Sequence, residues 1–285
     1  ALLSKILGED NLIGVDMGGT SFDVSVVRNG RVNVVMQGEV DRMPVRIPLV
    51  EICAIGAGGG SLANVQPGRR LTVGPESAGS YPGPDSPASC YLVEAEHDDR
   101  TWRIVLDLGN GALGALHRYA DPLTIDAVLL SHLHADHCID LTSYYVLRKY
   151  HPTGARPPIP VYGPDGTPGR LARAYDLPKS PGMTEEFTFH YYPAGSFTIG
   201  PFTITAPEVA HPVPAYAMRI EADGRTLTYS GDTGVCPSLV DVARAADLFL
   251  CEASFVEGGD NPPDLHLTGL QAGQMATEAS VRSLV

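Results

Sequence analysis

The sequence predicts an α/β fold from about Asp85 to the C-terminus, preceded in residues 1–84 by a β-rich segment of different character. Three observations carry this division. After Tyr91, short apolar runs bounded by turn residues alternate with helix-like patterns, as strands and helices do in α/β proteins. All nine histidines lie at or after His97. Charge is divided as unevenly: residues 1–84 hold 7 Lys+Arg and 8 Asp+Glu, a net of −1, so the remaining 201 carry −12 of the total −13.

Composition narrows the function classes. Charged residues are only 19% against 44% hydrophobic, which suits a globular chain with a proper core. No apolar run approaches the ~18 residues of a membrane-spanning helix. The opening ALLSKILGEDNLIGVD lacks a secretory pattern of basic leader and apolar core. The five cysteines (Cys53, Cys90, Cys138, Cys236, Cys251) are odd in number, widely spread and without a CxxC pair. That pattern suits a reducing cytoplasm rather than a disulfide framework or thiolate zinc site. An acidic domain with no basic patch repels nucleic-acid phosphates, so neither nucleic acid nor membrane is an expected partner.

Residues 11–36 read as short strands around a Gly turn: LIGVD, MGGTS, FDVSVV, then RNGRVNVVM. Asp16 and Asp23 flank the turn. Its glycines let backbone N–H groups approach a phosphate, as in the phosphate loops of actin-like ATPases, although most such turns are plain hairpins. The ordered series GVDMGGTSFDVSVV, GEVDRMPVRIPLVEI, IGAGGGSLANV and RRLTVGPESAGSYPGP closely resembles an internal piece of the hydantoinase A / 5-oxoprolinase family, over about residues 11–84. That family's ATP-dependent ring-opening subunit is several times longer. The resemblance therefore implies a fragment, with no ATPase or hydantoinase activity expected at Gly18–Thr20. The pattern breaks at Pro84, where DSPASCYLVEAE begins a different one and suggests a fusion. Leu71–Val73 is a candidate first strand for the α/β half.

From Tyr91, CYLVEAE and WRIVLDL are joined by the charged turn HDDR and predict a hairpin. GNGALGALHRYA predicts a Gly loop into a helix. DAVLLSH predicts a buried strand, which ends at SHLHADHCIDLTSYYVLRKY. His132 and His134, two apart at a strand exit, can point the same way. Asp136 and His137 then open a helix, with Leu141, Tyr144 and Tyr145 on its inner face. HxHxDH at that place can aim four ligands at two neighbouring cations, and imidazole donors favour zinc over magnesium or calcium. Cys138 could be a further ligand, but a small buried residue is the favoured reading. Later, EVAHP places His211 at the end of the strand FTITAPEV. AYAMRIEADGRTLTYSGDT then reads as strand, Asp-Gly turn and strand, leading to Asp232, whose carboxylate can bridge two cations. Taken singly, His211 could be a loop histidine and Asp232 a helix N-cap.

This half resembles the metallo-β-lactamase superfamily, in the branch of tRNase Z and small phosphodiesterases, on HLHADH, VYGPDG (Val161–Gly166), VAHP, SGDT and DLHLTGLQAG. The resemblance runs from about Asp85 to the end and implies an αββα sandwich. By carry-over, His132, His134 and His211 would hold one metal, Asp136 and His137 a second, and Asp232 would bridge. Zinc is expected, with manganese as the alternative. Asp136 and His266 are the expected catalytic residues, His266 by touching the reacting phosphate and protonating the leaving group; as a bland alternative His266 is a polar loop residue. In that branch the helix TGLQAGQMATEAS leads to a strand and a Thr-His pair that completes the second site. This sequence stops at RSLV, which implies a C-terminally truncated fold with a weakened second metal site.

Two bound cations would lower the pKa of a water between them to ~7 and offset charge on phosphoryl oxygens. The tRNase Z resemblance implies a long arm between the His211-type and Asp232-type ligands, but only 20 residues separate the two here. This absence favours a small phosphodiester such as a cyclic nucleotide, and DSPASCYLV, LHRYADP and SHLHADHCIDL resemble actinobacterial proteins proposed as cyclic nucleotide phosphodiesterases. A tRNase Z-like or glyoxalase II-like hydrolase, and a truncated chimera that binds zinc without turnover, remain as alternatives. A homodimer is an open expectation.

Overall fold

The structure, a computed structural model, describes residues 87–285 throughout. Before them it describes Asn11, Asn29 and a set of strands between Leu12 and Pro75. Gly18–Thr20 and the junction at Pro84 lie outside the described residues.

In the N-terminal segment, Leu12–Met17 pairs antiparallel with Phe22–Arg28, with Asp16 opposite Asp23. Phe22–Arg28 also pairs with Arg31–Val32 and Ile52–Ile55. Leu71–Val73 does not open the later sheet. It lies in Arg70–Pro75, paired antiparallel with Ser61–Gln66 in a two-stranded ribbon. The reason is local: Pro67 and Gly68 put a turn signal between the two runs, which favours a hairpin over a distant partner.

The first C-terminal sheet has five strands in the order β1 (Tyr91–His97), β2 (Arg100–Leu106), β3 (Ala127–Leu129), β4 (Ile159–Tyr162) and β5 (Phe187–His190). β1 and β2 form the hairpin expected around HDDR, with His97 opposite Arg100. The remaining pairs are parallel. The second sheet runs β6 (Phe197–Ile199), β7 (Phe202–Thr205), β10 (Met218–Ala222), β11 (Arg225–Tyr229) and β12 (Leu248–Leu250), antiparallel except for the last pair. β8 (Glu208–Val209) and β9 (Ala215–Tyr216) form a small ribbon beside it. FTITAPEV is therefore two strands rather than one; Pro207 has no N–H to continue the ladder. Asp223 and Gly224 both take positive φ, as the tight β10–β11 turn requires.

Alternation along the strands builds four layers. Tyr91, Val93, Ile104, Leu106, Ala127 and Leu129 face Ile199, Phe202, Ile204, Met218 and Ile220 between the sheets. Leu92, Val105 and Val128 point the other way. There they meet α1 (Ala112–Leu116), the short α2 (Ala135–Cys138), α3 (Leu141–Lys149) and α4 (Thr167–Ala174) through Leu113, Leu116, Cys138, Leu141, Tyr144 and Leu171. The outer face of the second sheet packs on α5 (Pro237–Ala243) and α6 (Gly269–Glu278) through Leu239, Phe249 and Met275. The order is αββα, as the resemblance implies. Each fully buried Leu or Ile contributes about 1.5–3 kcal/mol. Thr268 and Gln271 form a reciprocal capping box that starts α6. After α6, Ser283–Val285 run parallel to β12, bonding Phe249 and Cys251. Among the described residues no helix is long and apolar enough to cross a membrane.

Candidate metal centre

The parallel strands of the first sheet all end at one edge, and the chemistry collects there. β2 leads into Asp107, and β3 leads to Ser131 and His132. The Gly loop after β2 holds the HxHxDH turn in place. Leu108 N donates to the carbonyl of His137 at 2.8 Å, and Asp140 N donates to the carbonyl of Leu108 at 3.1 Å. Gly109 faces the carbonyl of Asp136 so closely that a Cβ there would lie 1.9 Å from it. Only glycine permits this approach. His211 follows β8, and Asp232 follows β11 through Gly231, whose φ is +58 and whose Cβ would strike Ser131.

Donor atoms of His132, His134, His211 and Asp232 lie within 4.8 Å of one another, and so do those of Asp136, His137 and Asp232. Asp232 belongs to both groups, as a bridging ligand must. Nδ1 of His134 stands 2.9 Å from Nε2 of His132 and 3.4 Å from Nε2 of His211. Two nitrogens on one tetrahedral zinc stand about 3.4 Å apart, so the first group has a zinc-sized opening. Three imidazoles and a carboxylate also match zinc's usual donor set. Nε2 of His137 is buried with no hydrogen-bond partner, although Asp232 Oδ1 is 3.3 Å away and Asp136 Oδ2 3.6 Å. A cation among these three would satisfy that orphaned nitrogen.

Hydrogen bonds at the far side of three of the rings fix which nitrogen is free. His211 Nδ1 donates to the carbonyl of Leu265 at 3.0 Å, leaving Nε2 as a lone pair. His137 Nδ1 donates to Asp107 Oδ2 at 2.7 Å. The Ser131 hydroxyl donates to the same oxygen at 2.7 Å and accepts from His132 Nδ1 at 3.0 Å. Burial, aided by neighbouring His137, pushes His132 down to about 2 despite Asp232, so it is a neutral ring able to ligate. Burial likewise lowers His211. Burial opposes charge on His137 and on Asp232, yet Asp107 raises the former and the neighbouring His137 ring lowers the latter.

A third grouping joins Asp232 to Glu252 and His266. His266 Nδ1 donates to Glu252 Oε1 at 2.9 Å and lies 3.9 Å from Asp232 Oδ2. The ring of Phe255 meets His266 edge-on at 5.2 Å. The hydrogen bond to Glu252 raises the pKa of His266 against the effect of burial.

All six predicted ligands and His266 thus converge. Asp232 is not a helix cap; that position before α5 belongs to Cys236. Cys138 is not among the gathered donors. It is fully buried in the helix-side core, and burial pushes its thiol up to about 12. Cys90, Cys138, Cys236 and Cys251 are free thiols. Sequence reading missed Asp107, Ser131, Tyr229 and Glu252. Two of these carried a signal: Asp107 and Glu252 are carboxylates set at or just after the end of a buried apolar strand.

Comparison with known proteins agrees with this geometry. The family model described as beta-lactamase superfamily domain matches residues 102–285, and that described as hydantoinase/oxoprolinase matches residues 1–114. An uncharacterised protein of Mycobacterium tuberculosis is 46% identical over 216 residues, covering 73% of this chain and 76% of its own length. The crystal structure of the metallo-beta-lactamase fold protein YhfI from Bacillus subtilis aligns with a TM-score of 0.62 at 28% identity, over 72% of this chain and 80% of that one. Human tRNase Z, short form, aligns with a TM-score of 0.60 over 73% and 87%, a likeness of fold at 21% identity.

Proposed function

The chain belongs to the beta-lactamase superfamily domain family, and on that premise we propose that this metallo-hydrolase cleaves a small phosphodiester, such as a cyclic nucleotide, in the cytoplasm with zinc or manganese as its cation. The observation that carries the reading is the Glu252–His266 pair, standing beside Asp232 at the edge of the ligand cluster.

His132, His134, His211 and Asp232 would hold one divalent cation, and Asp136, His137 and Asp232 the other. Bound there, such cations supply Lewis-acid polarisation of a phosphoryl oxygen and a more acidic water. The chain's own residues supply the proton. Glu252 engages His266 at Nδ1 and favours the charged ring, in which Nε2–H is the free donor for a departing alkoxide. Glu252 is itself oriented, since Thr233 N donates to its Oε1 at 2.8 Å and Ser254 N to its Oε2 at 3.2 Å.

Substrate size follows from the stretch between His211 and Asp232, which holds only β9, β10 and β11 and offers no arm to grip a large nucleic acid. The same sheet edge carries aromatic rings. Tyr216 N donates to the carbonyl of Ser131, next to His132, and the Tyr216 ring lies 4.9 Å from that of Tyr192. A ring there supports a substrate with a base to stack.

The test is turnover by zinc- or manganese-loaded protein of 3′,5′-cyclic nucleotides, bis-p-nitrophenyl phosphate and a glutathione thioester. Phosphodiester hydrolysis abolished by His266→Ala is expected. Thioester cleavage alone, or two bound cations with no turnover of any of these, overturns the reading.

A further inference from the structure

The hydroxyl of Tyr229, at the end of β11, donates to Oδ2 of Asp107 at 2.6 Å. The two residues are 122 positions apart and come from different sheets. Both are buried, Asp107 fully. The carboxylate is closely surrounded: Oδ1 accepts from Ser131 N at 2.6 Å, and Oδ2 accepts from Ser131 Oγ and His137 Nδ1, each at 2.7 Å, besides Tyr229. A buried carboxylate is tolerable only when its lone pairs are met in this way.

The geometry points to Tyr229 as a positioning residue of the metal centre, acting through Asp107 on His137 and, through Ser131, on His132. The consequence is directional. Asp107 accepts the hydrogen bond from Nδ1–H of His137, so the other nitrogen of that ring is the one left facing Asp136 and Asp232. The Ser131 hydroxyl spends its proton on Asp107 and must accept from His132 Nδ1, so that ring too presents Nε2. One carboxylate therefore orients one ligand of each cation group. Tyr229 lies on the second sheet, so its hydroxyl ties Asp107 to that sheet while Ser131 and His137, which follow β3 of the first, bond the same carboxylate. Groups behind the ligands set ring orientation and basicity and change metal affinity when lost. Positive φ at Asp107, +59, is a conformation that asparagine shares but most residues resist.

The metal arm of this inference rests on the two-cation reading. Tyr229→Phe removes the hydroxyl and leaves the ring in its place beside Tyr91, 5.0 Å away. In the metal-free full chain, the His137 Nδ1–H resonance of Tyr229→Phe is expected to move downfield, because Oδ2 then serves fewer donors. The His211 Nδ1–H resonance, bonded to Leu265, stays where it was. In zinc titrations against a chromophoric chelator, Tyr229→Phe weakens the second cation about tenfold, the low end for an outer-shell partner. Asp107→Asn weakens it further, and Tyr229→Phe added to Asp107→Asn brings no additional loss. An unmoved His137 resonance, or a loss from Tyr229→Phe that simply adds to that of Asp107→Asn, overturns the proposal. Wild-type protein that takes up one zinc while the His137 resonance still moves would instead overturn the two-cation reading and leave the positioning role standing.

Discussion

Nδ1 of His266 lies 2.9 Å from Oε1 of Glu252 and 3.9 Å from Oδ2 of Asp232, so one imidazole faces two carboxylates. The nearer one raises the pKa of His266 above its ordinary value. A proton donor with a raised pKa keeps its proton to higher pH, and its contribution is lost as pH climbs through that value. Glu252→Gln removes the raising charge. The alkaline limb of kcat should then move to lower pH, and kcat at neutral pH should fall by up to about 100-fold, the low end of the range of general-acid contributions. A pH–rate profile of the variant with its limb unmoved would assign that limb to another group.

Metal removal should cost stability as well as activity. His132, His134, His137 and His211 crowd together, with ring centroids of His132 and His137 4.1 Å apart and of His132 and His211 4.9 Å apart. Without a cation, the buried Nε2 of His137 has no partner. A ligand that binds only the folded state at a hundred times its Kd adds about 2.7 kcal/mol. Chelator-treated protein should therefore melt lower, and free zinc should restore the Tm in a concentration-dependent way. A Tm indifferent to chelator and zinc would rule out a folded-state cation site.

Gly109 bears on the same centre from outside it. Any side chain there meets the Asp136 carbonyl and Ala88, and the loop is tied to His137 through Leu108 N. Gly109→Ala should destabilise the fold by about 1–3 kcal/mol, the usual cost of overpacking. It should also weaken zinc binding, because relief of the clash must move the HxHxDH turn. Denaturant unfolding and zinc titration of the same variant measure the two effects. Weakened unfolding with unchanged zinc affinity would show that the turn is held by something other than this loop.

The folded outline was legible because it rests on period. The β1–β2 hairpin follows from alternation around HDDR and β3 from an unbroken apolar run, while α6 was expected from the family resemblance of TGLQAGQMATEAS. HxHxDH was legible because four ligands share one turn. What stayed hidden depends on distance in the chain. Tyr229 and Asp107 meet across two sheets, and Glu252 reaches His266 over 14 positions. Each alone looks like an ordinary polar residue at a strand end. The split of FTITAPEV at Pro207 was visible in the sequence, yet the apolar pattern on both sides of it read as one strand.

Tyr216 offers a test of substrate rather than of chemistry. Its backbone N–H bonds the carbonyl of Ser131 at 3.0 Å, and its carbonyl sits near Gly231, so the residue is wedged between the two loops that carry His132 and Asp232. Its ring leans on Tyr192 at 4.9 Å and 47°, while the Tyr192 hydroxyl is anchored to the carbonyl of Leu130. The ring is half-buried, not closed off in the core. A stacked base contributes about 1–3 kcal/mol to binding, or roughly ten- to a hundredfold in KM. Tyr216→Ala should raise KM for a cyclic nucleotide by about that factor with little change in kcat, and should leave an inert dialkyl phosphodiester unaffected. An equal loss on both substrates would mean that Tyr216 serves the ligand loops, because a disturbed metal centre cannot tell a base from an alkyl group.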